Sequence, residues 1–320
     1  MKARSFPRAV AGALLGWFAA AAALAGDADC RNDGALPISF VQFASPNIGT
    51  SPPSLLTIKG KLSLPTGPSR KSGCGGVHKV PAVVILHGSS GIDARGDFYE
   101  AALNEAGIAT LQIDMWEARG VTGGANRPKA PILTQPDAFS ALAFLAAQPG
   151  IAADRIGVLG FSWGGVMSMG SAEQLYAGMF GGGRQFKAHV AHYPVCYAYN
   201  AVVPGLPPPA QFGTQFLHLT GAPVLIQVGS SDDYDNGAAR CQALAQAVNP
   251  GNGNAVQVVE VPGSEHAWDR LMVPITVPDP FGNEGSYFVT GQVPNVRLAP
   301  NVEQAYAARE RVERFFKHRL

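Results

Sequence analysis

Short apolar runs recur along the chain, each separated from the next by a stretch with helical spacing, and this rhythm restricts the fold more than any other feature. Residues 82–86, 108–113, 155–160, 188–193, 224–229 and 255–261 read as buried strands. Residues 98–105, 137–148, 164–176 and 238–248 read as helices, and 301–318 as a long closing helix. Strands joined through helices need crossovers, so the expected class is α/β, with a mostly parallel central sheet and helices on both faces. Residues 55–64 alternate like an early strand, 26–54 carry no long periodic pattern, and 70–79 read as a hairpin or loop. In such a sheet ligands gather at the C-terminal ends of the strands, which is where the chemistry-bearing residues below fall.

The N-terminus has to be set aside before the fold is read. Lys2, Arg4 and Arg8 precede an Ala-rich apolar run that ends in Ala23-Leu24-Ala25, an A-x-A cleavage site. We read residues 1–25 as a secretory signal peptide and 26–320 as a single domain, periplasmic or extracellular. A retained membrane anchor is the competing reading, but Gly12 and Gly16 interrupt the run and its length is marginal for a bilayer. Gly26 stands where a lipid-anchored protein needs Cys. Cleavage takes away three positive charges and moves the formal net charge from +1 to −2, leaving no basic field for nucleic acid. No other segment reads as a membrane span. With 47% hydrophobic and 15% charged residues, the chain can bury a large core and is not a disordered one.

Four cysteines are present, Cys30, Cys74, Cys196 and Cys241. In an oxidising compartment an even count points to disulfides. Of the possible pairings we expect Cys30–Cys74, near the N-terminus, and Cys196–Cys241, within the C-terminal half; buried free thiols are the alternative. No C-x-x-C pair occurs, so no zinc site is expected. His189 and His192 lie three apart on one strand, face opposite sides and make a poor metal pair.

Gly160-Phe161-Ser162-Trp163-Gly164 matches G-x-S-x-G, with a strand before it and a helix after it. That context forces a sharp turn which exposes the Ser162 hydroxyl, and the glycines are needed where side chains would collide. A hydroxyl is a weak nucleophile and needs a base held by an acid. In this arrangement the acid and then the base follow the serine in the chain. Asp232, after the 224–229 strand, and His266, after the 255–261 strand, fill those places. Asp233 is the next choice for the acid, and Asp235 lies in the same loop. The developing oxyanion needs donors: the Trp163 N–H, and an N–H from His87-Gly88-Ser89-Ser90-Gly91, with Ser89 first and Ser90 second. Trp163, Trp116 and Trp268 are read as core, with pocket lining the alternative. Activity is expected to rise as His266 loses its proton, near the reference imidazole pKa of about 6.5.

These stretches resemble the dienelactone hydrolase family. The likeness rests on residues 155–165, on Gly229-Ser230-Ser231-Asp232-Asp233, and on Pro262-Gly263-Ser264-Glu265-His266-Ala267-Trp268-Asp269. It covers most of 80–269 and resumes in the last helix. The resemblance implies an α/β-hydrolase fold and hydrolysis of small-molecule carboxylic esters or lactones, with no cofactor. The family's founding members carry cysteine as nucleophile, and this chain has Ser162. An acyltransferase or peptidase using the same triad is the alternative. A non-catalytic binding protein on the same scaffold is a third reading, but it predicts a broken triad. The Pro/Gly-rich loops 119–136, 198–215 and 271–296 are expected to border the pocket.

Overall fold

The computed structural model describes residues 37–65, 79–200 and 215–320. The signal-peptide segment and the Cys30–Cys74 pairing lie outside the described residues. The first half runs β1 (Ile38–Asn47), β2 (Ser54–Ser63), β3 (Val80–Leu86), α1 (Ala94–Glu105), β4 (Ala109–Asp114), α2 (Gln135–Ala146), β5 (Ile151–Phe161), α3 (Trp163–Ser171) and α4 (Gln174–Phe180). The second runs β6 (His189–His192), β7 (Val224–Gly229), α5 (Ala239–Val248), β8 (Val256–Val261), β9 (Ile275–Pro278), the short turns α6 (Gly282–Gly285) and α7 (Tyr287–Thr290), β10 (Asn295–Leu298) and α8 (Val302–Arg319). The central sheet has eight strands in the order β1-β2-β4-β3-β5-β6-β7-β8. β1 and β2 are antiparallel to their neighbours, and the pairs from β4 to β8 are parallel.

The sheet's two faces explain why its strands are continuously apolar. Along β3, Val83 and Ile85 pack with Tyr99 and Leu103 of α1 and with Val312 and Phe316 of α8, whereas Val84 and Leu86 pack with Phe139 and Leu142 of α2 and Met167 of α3. Alternate side chains point to opposite faces, so a strand covered on both sides has to be apolar at every position. α8 presents Ala305, Ala308, Val312 and Phe316 inward at helical spacing. The Asn301 side chain caps it by accepting from the Gln304 N–H at 3.2 Å, and Lys317, His318 and Arg319 sit at its negative end.

Two sequence expectations need correction. Residues 38–47, read as patternless, form β1. This edge strand turns Ile38 and Phe40 outward, with Phe40 85% exposed, while Ser45 is buried and donates to Asp137 at 2.6 Å. On the inward side Val41 and Phe43 pack against the core, so the strand alternates, with the exposed Ile38 and Phe40 and the buried Ser45 obscuring the pattern. The helix expected over 164–176 breaks at Ala172–Glu173, where the Glu173 backbone is extended and its carboxylate accepts from the Leu217 and His218 N–H groups at 2.7 and 3.0 Å. Those tertiary bonds replace a continuing helical turn. Within the loop expected over 271–296, β9 pairs with β10 as a hairpin.

Candidate active site

β5 ends at Phe161 and α3 begins at Trp163, so Ser162 alone makes the turn between them, with φ 51° and ψ −109°. A non-glycine residue with positive φ is strained. The flanking glycines are what permit the turn. A Cβ on Gly160 would lie 1.9 Å from the Gly164 carbonyl oxygen, and one on Gly164 would lie 2.2 Å from that of Leu86. The turn is pinned by the Ser162 N–H donating to His192 O at 2.9 Å and by the Val166 N–H donating to Ser162 O at 2.9 Å.

The loops after β7 and β8 bring the acid and the imidazole to the same place. His266 Nδ1 lies 2.8 Å from Asp232 Oδ2, and its Nε2 lies 3.0 Å from Ser162 Oγ. A carboxylate only accepts, so Nδ1 donates and Nε2 is left to accept the serine hydroxyl. Both Asp232 and His266 are buried. The two loops are stitched together by the Ser231 N–H on Ser264 O at 3.0 Å and the Gly263 N–H on Ser230 Oγ at 2.9 Å. Gly229 has no room for a Cβ, which would sit 2.1 Å from the Ser264 oxygen. The rival acids face elsewhere. Asp233 Oδ2 accepts from the Arg297 N–H at 2.8 Å, and Asp235 accepts from the Cys196 and Tyr197 N–H groups, both at 2.7 Å.

The β3 loop packs against the serine turn: the Cβ position of Gly88 is 3.6 Å from Ser162 Cβ. Gly88 O accepts from the Gly91 N–H at 3.0 Å and from His87 Nδ1 at 2.7 Å. A trans peptide is planar, so the Ser89 N–H projects opposite to that carbonyl. The Trp163 N–H is the first of α3 and has no intrahelical acceptor. Ser89, Ser90 and Ser162 all line the same cavity.

His87 Nε2 accepts from the Met115 N–H at 3.0 Å, so its Nδ1 is the donor to Gly88 O and the ring is neutral. Burial lowers its pKa to about 4, and does the same to His189. An unfolded histidine titrates near about 6.5. Between those values the unfolded chain takes up protons that the folded chain refuses, so both histidines cost stability as pH falls through that window. Asp235 works the other way. Burial first, and then the Asp232 carboxylate, push it up to about 7 from 3.8, so its folded form keeps a proton and its contribution improves as pH falls from about 7 toward about 4. The histidine effect is isolated by difference. The Tm of His87→Gln should fall less than that of the natural protein between about pH 7 and about pH 4.5, and equal falls by calorimetry would refute the assignment.

The cavity over Ser162 has a volume of about 740 Å³ and includes Arg95, Arg127, Tyr234, His266, Arg270 and Phe281 in its wall. Arg127 and Lys129 come from the expected loop 119–136, and Ile275, Asp279 and Phe281 from 271–296. Of the third loop, 198–215, residues 201–214 lie outside the described residues. Several wall groups were not evident from the sequence. The Tyr234 ring lies 4.3 Å from that of His266, its N–H donates to Asp232 Oδ1 at 2.9 Å, and its hydroxyl donates to Asp279 Oδ2 at 2.9 Å. Asp279 also pairs with Arg127 at 2.9 Å. Behind His266, Asp269 accepts from Tyr99, Tyr193 and His192. Only the position of Asp269 within the quoted 262–269 stretch hinted at any of this. Trp163 is both core and pocket wall, and Trp116 and Trp268 are buried. His189 reaches the Ser168 carbonyl of α3 and His192 reaches Asp269, so the two do face apart.

The expected Cys196–Cys241 disulfide is present, with Cα atoms 5.0 Å apart. Cys196, Asp235 and Cys241 bring ligand-type atoms within 4.8 Å of one another, but the disulfide ties up both sulfurs. Among the described residues no helix is long and apolar enough to cross a membrane.

No protein-family model matches the chain, and no curated protein matches it in sequence. Solved structures do match. A dienelactone hydrolase from Anabaena variabilis gives a TM-score of 0.51 at 17% identity, covering 89% of this chain and 100% of that one. The hyperthermophilic esterase of Pyrobaculum calidifontis gives 0.54 at 16% identity, with 88% and 83% covered. Esterase 2 of Thermogutta terrifontis, phosphoramylated by tabun, gives 0.55 at 17% identity, with 82% and 89% covered. The strand order, the strained serine between β5 and α3 and these likenesses together give the chain the α/β-hydrolase fold.

Proposed function

We propose that the protein is an exported serine hydrolase of the dienelactone-hydrolase type, cleaving carboxylic esters or lactones through Ser162, His266 and Asp232. The observation that carries this reading is the unbroken chain of contacts, 3.0 Å from Ser162 Oγ to His266 Nε2 and 2.8 Å from Nδ1 to Asp232, at the floor of an open cavity. Ser162 Oγ attacks the acyl carbon while its proton passes to His266 Nε2. Asp232 holds the tautomer and stabilises the imidazolium. The Ser89 and Trp163 N–H groups receive the oxyanion. Collapse expels the alcohol, which takes the proton from His266. A water then gives its proton to His266 and attacks the acyl-serine; collapse returns that proton to Ser162 Oγ and releases the acid. Neighbours of the same fold that are named as dienelactone hydrolases and esterases support this reading, and the Cys196–Cys241 disulfide fits an exported protein.

A fluorophosphonate probe tests it directly. The probe should attach covalently, and mass spectrometry of the digested protein should place the adduct on Ser162. An unmodified protein, or an adduct on another residue, would refute the proposal.

A further inference from the structure

Two compartments meet at Ser162, and they differ in size and in which part of the triad they touch. The large one, about 740 Å³, has His266 in its wall. The small one, about 50 Å³, shares its polar side chains with the large one; Pro131, Trp163, Val166, Val195 and Ala198 line it alone, and His266 does not line it. This asymmetry assigns the two halves of an ester, on the proposed reading of the site as a serine esterase. The general acid must reach the leaving oxygen, so the alcohol occupies the His266 side. The acyl chain is left with the other side, beside Trp163.

A single water needs about 10–15 Å³ of such space, so the small compartment has room for only a few such volumes, which suits a short acyl chain. The large compartment falls within the range of about 300–1,000 Å³ that suits a drug-sized group. Val195 stands in the wall of the small compartment in an unusual conformation, φ 59° and ψ 65°. A β-branched residue there is a true outlier, and such strain persists only where its surroundings impose it. Here they do. The next residue, Cys196, is bonded to Cys241, Asp235 accepts the Cys196 and Tyr197 N–H groups, and the Tyr197 hydroxyl donates to Phe281 O at 2.9 Å. Glycine would satisfy this backbone without cost, yet the chain places an isopropyl group at the compartment wall.

We propose that the enzyme prefers esters of short acyl chains with bulky alcohols, and that Val195 sets the acyl length it accepts. The test uses p-nitrophenyl acetate, butanoate and octanoate, and then acetates of larger phenols. For the natural protein, kcat/KM on butanoate should exceed that on octanoate by about 100-fold, while enlarging the phenol at constant acetyl should change it less than about threefold. Val195→Gly should raise the ratio of kcat/KM on octanoate to that on acetate by about tenfold or more. Should that variant fail to fold, Val166→Ala opens the same compartment and should act in the same direction. Equal rates on butanoate and octanoate, or a Val195→Gly gain confined to bulky alcohols, would overturn the assignment while leaving the esterase reading intact. Absence of turnover on every ester, together with absence of fluorophosphonate labelling, would sink both.

Discussion

Replacing Ser162 by Ala should lower kcat on an activated ester by about 10⁴–10⁶-fold, and His266→Ala, alone or combined with it, should cost about as much. On the proposed mechanism every proton the imidazole moves belongs to forming or breaking the bond at Ser162 Oγ, so once either partner is lost the other has little left to contribute. The 3.0 Å contact between them is the geometric basis for that dependence. Steady-state kinetics on the two single variants and the double variant measure it. Losses that multiply in the double variant, or a Ser162→Ala enzyme within about tenfold of the natural one, would show that these residues do not act as a unit.

Asp269→Ala should lower stability to denaturant by about 3–5 kcal/mol, the cost of removing one member of a buried charged network. The carboxylate receives hydrogen bonds from Tyr99 at 2.8 Å, Tyr193 at 2.5 Å and His192 at 3.0 Å, and Tyr193 in turn accepts from buried Arg95 at 3.0 Å. Burial pushes the Asp269 carboxyl up, but the hydrogen bond from His192 and the Arg95 guanidinium prevail and hold it below the usual carboxylate range. Truncation strands several polar groups away from water, each at a cost. The Tyr193 ring also lies 4.6 Å from that of His266, so the damage reaches the back wall of the active site. A loss under about 1 kcal/mol in equilibrium unfolding would mean that the network rearranges or admits water.

What the sequence made legible follows from what is local in it. Residues 82–86, 155–160 and 224–229 announced themselves as strands because both faces of the sheet are covered, which forces an apolar residue at every step. Ser162 and His266 stood out because their neighbours, Gly160 and Gly164 around one and the end of β8 before the other, dictate a turn within a few residues. β1 escaped notice because an edge strand can leave Phe40 in solvent and hide Ser45. The choice between Asp232 and Asp233 was undecidable from spacing alone, since it turns on which carboxylate the loop directs at an imidazole 34 positions away. Tyr234, Asp279 and Val195 were invisible for the same reason: each acts through partners distant in the chain. The Cys196–Cys241 bond was recovered by pairing logic, but its part in holding the Val195 turn needed the fold.

The stitching of the β7 and β8 loops has a mechanical consequence. With Gly229 pressed against the Ser264 carbonyl and reciprocal bonds crossing between the loops, carboxylate and imidazole ride on one rigid jaw. The nucleophile rides on the opposing jaw, at the mouth of α3. A displacement between the two would therefore change the gap at the hydroxyl before it disturbed the 2.8 Å contact between carboxylate and imidazole.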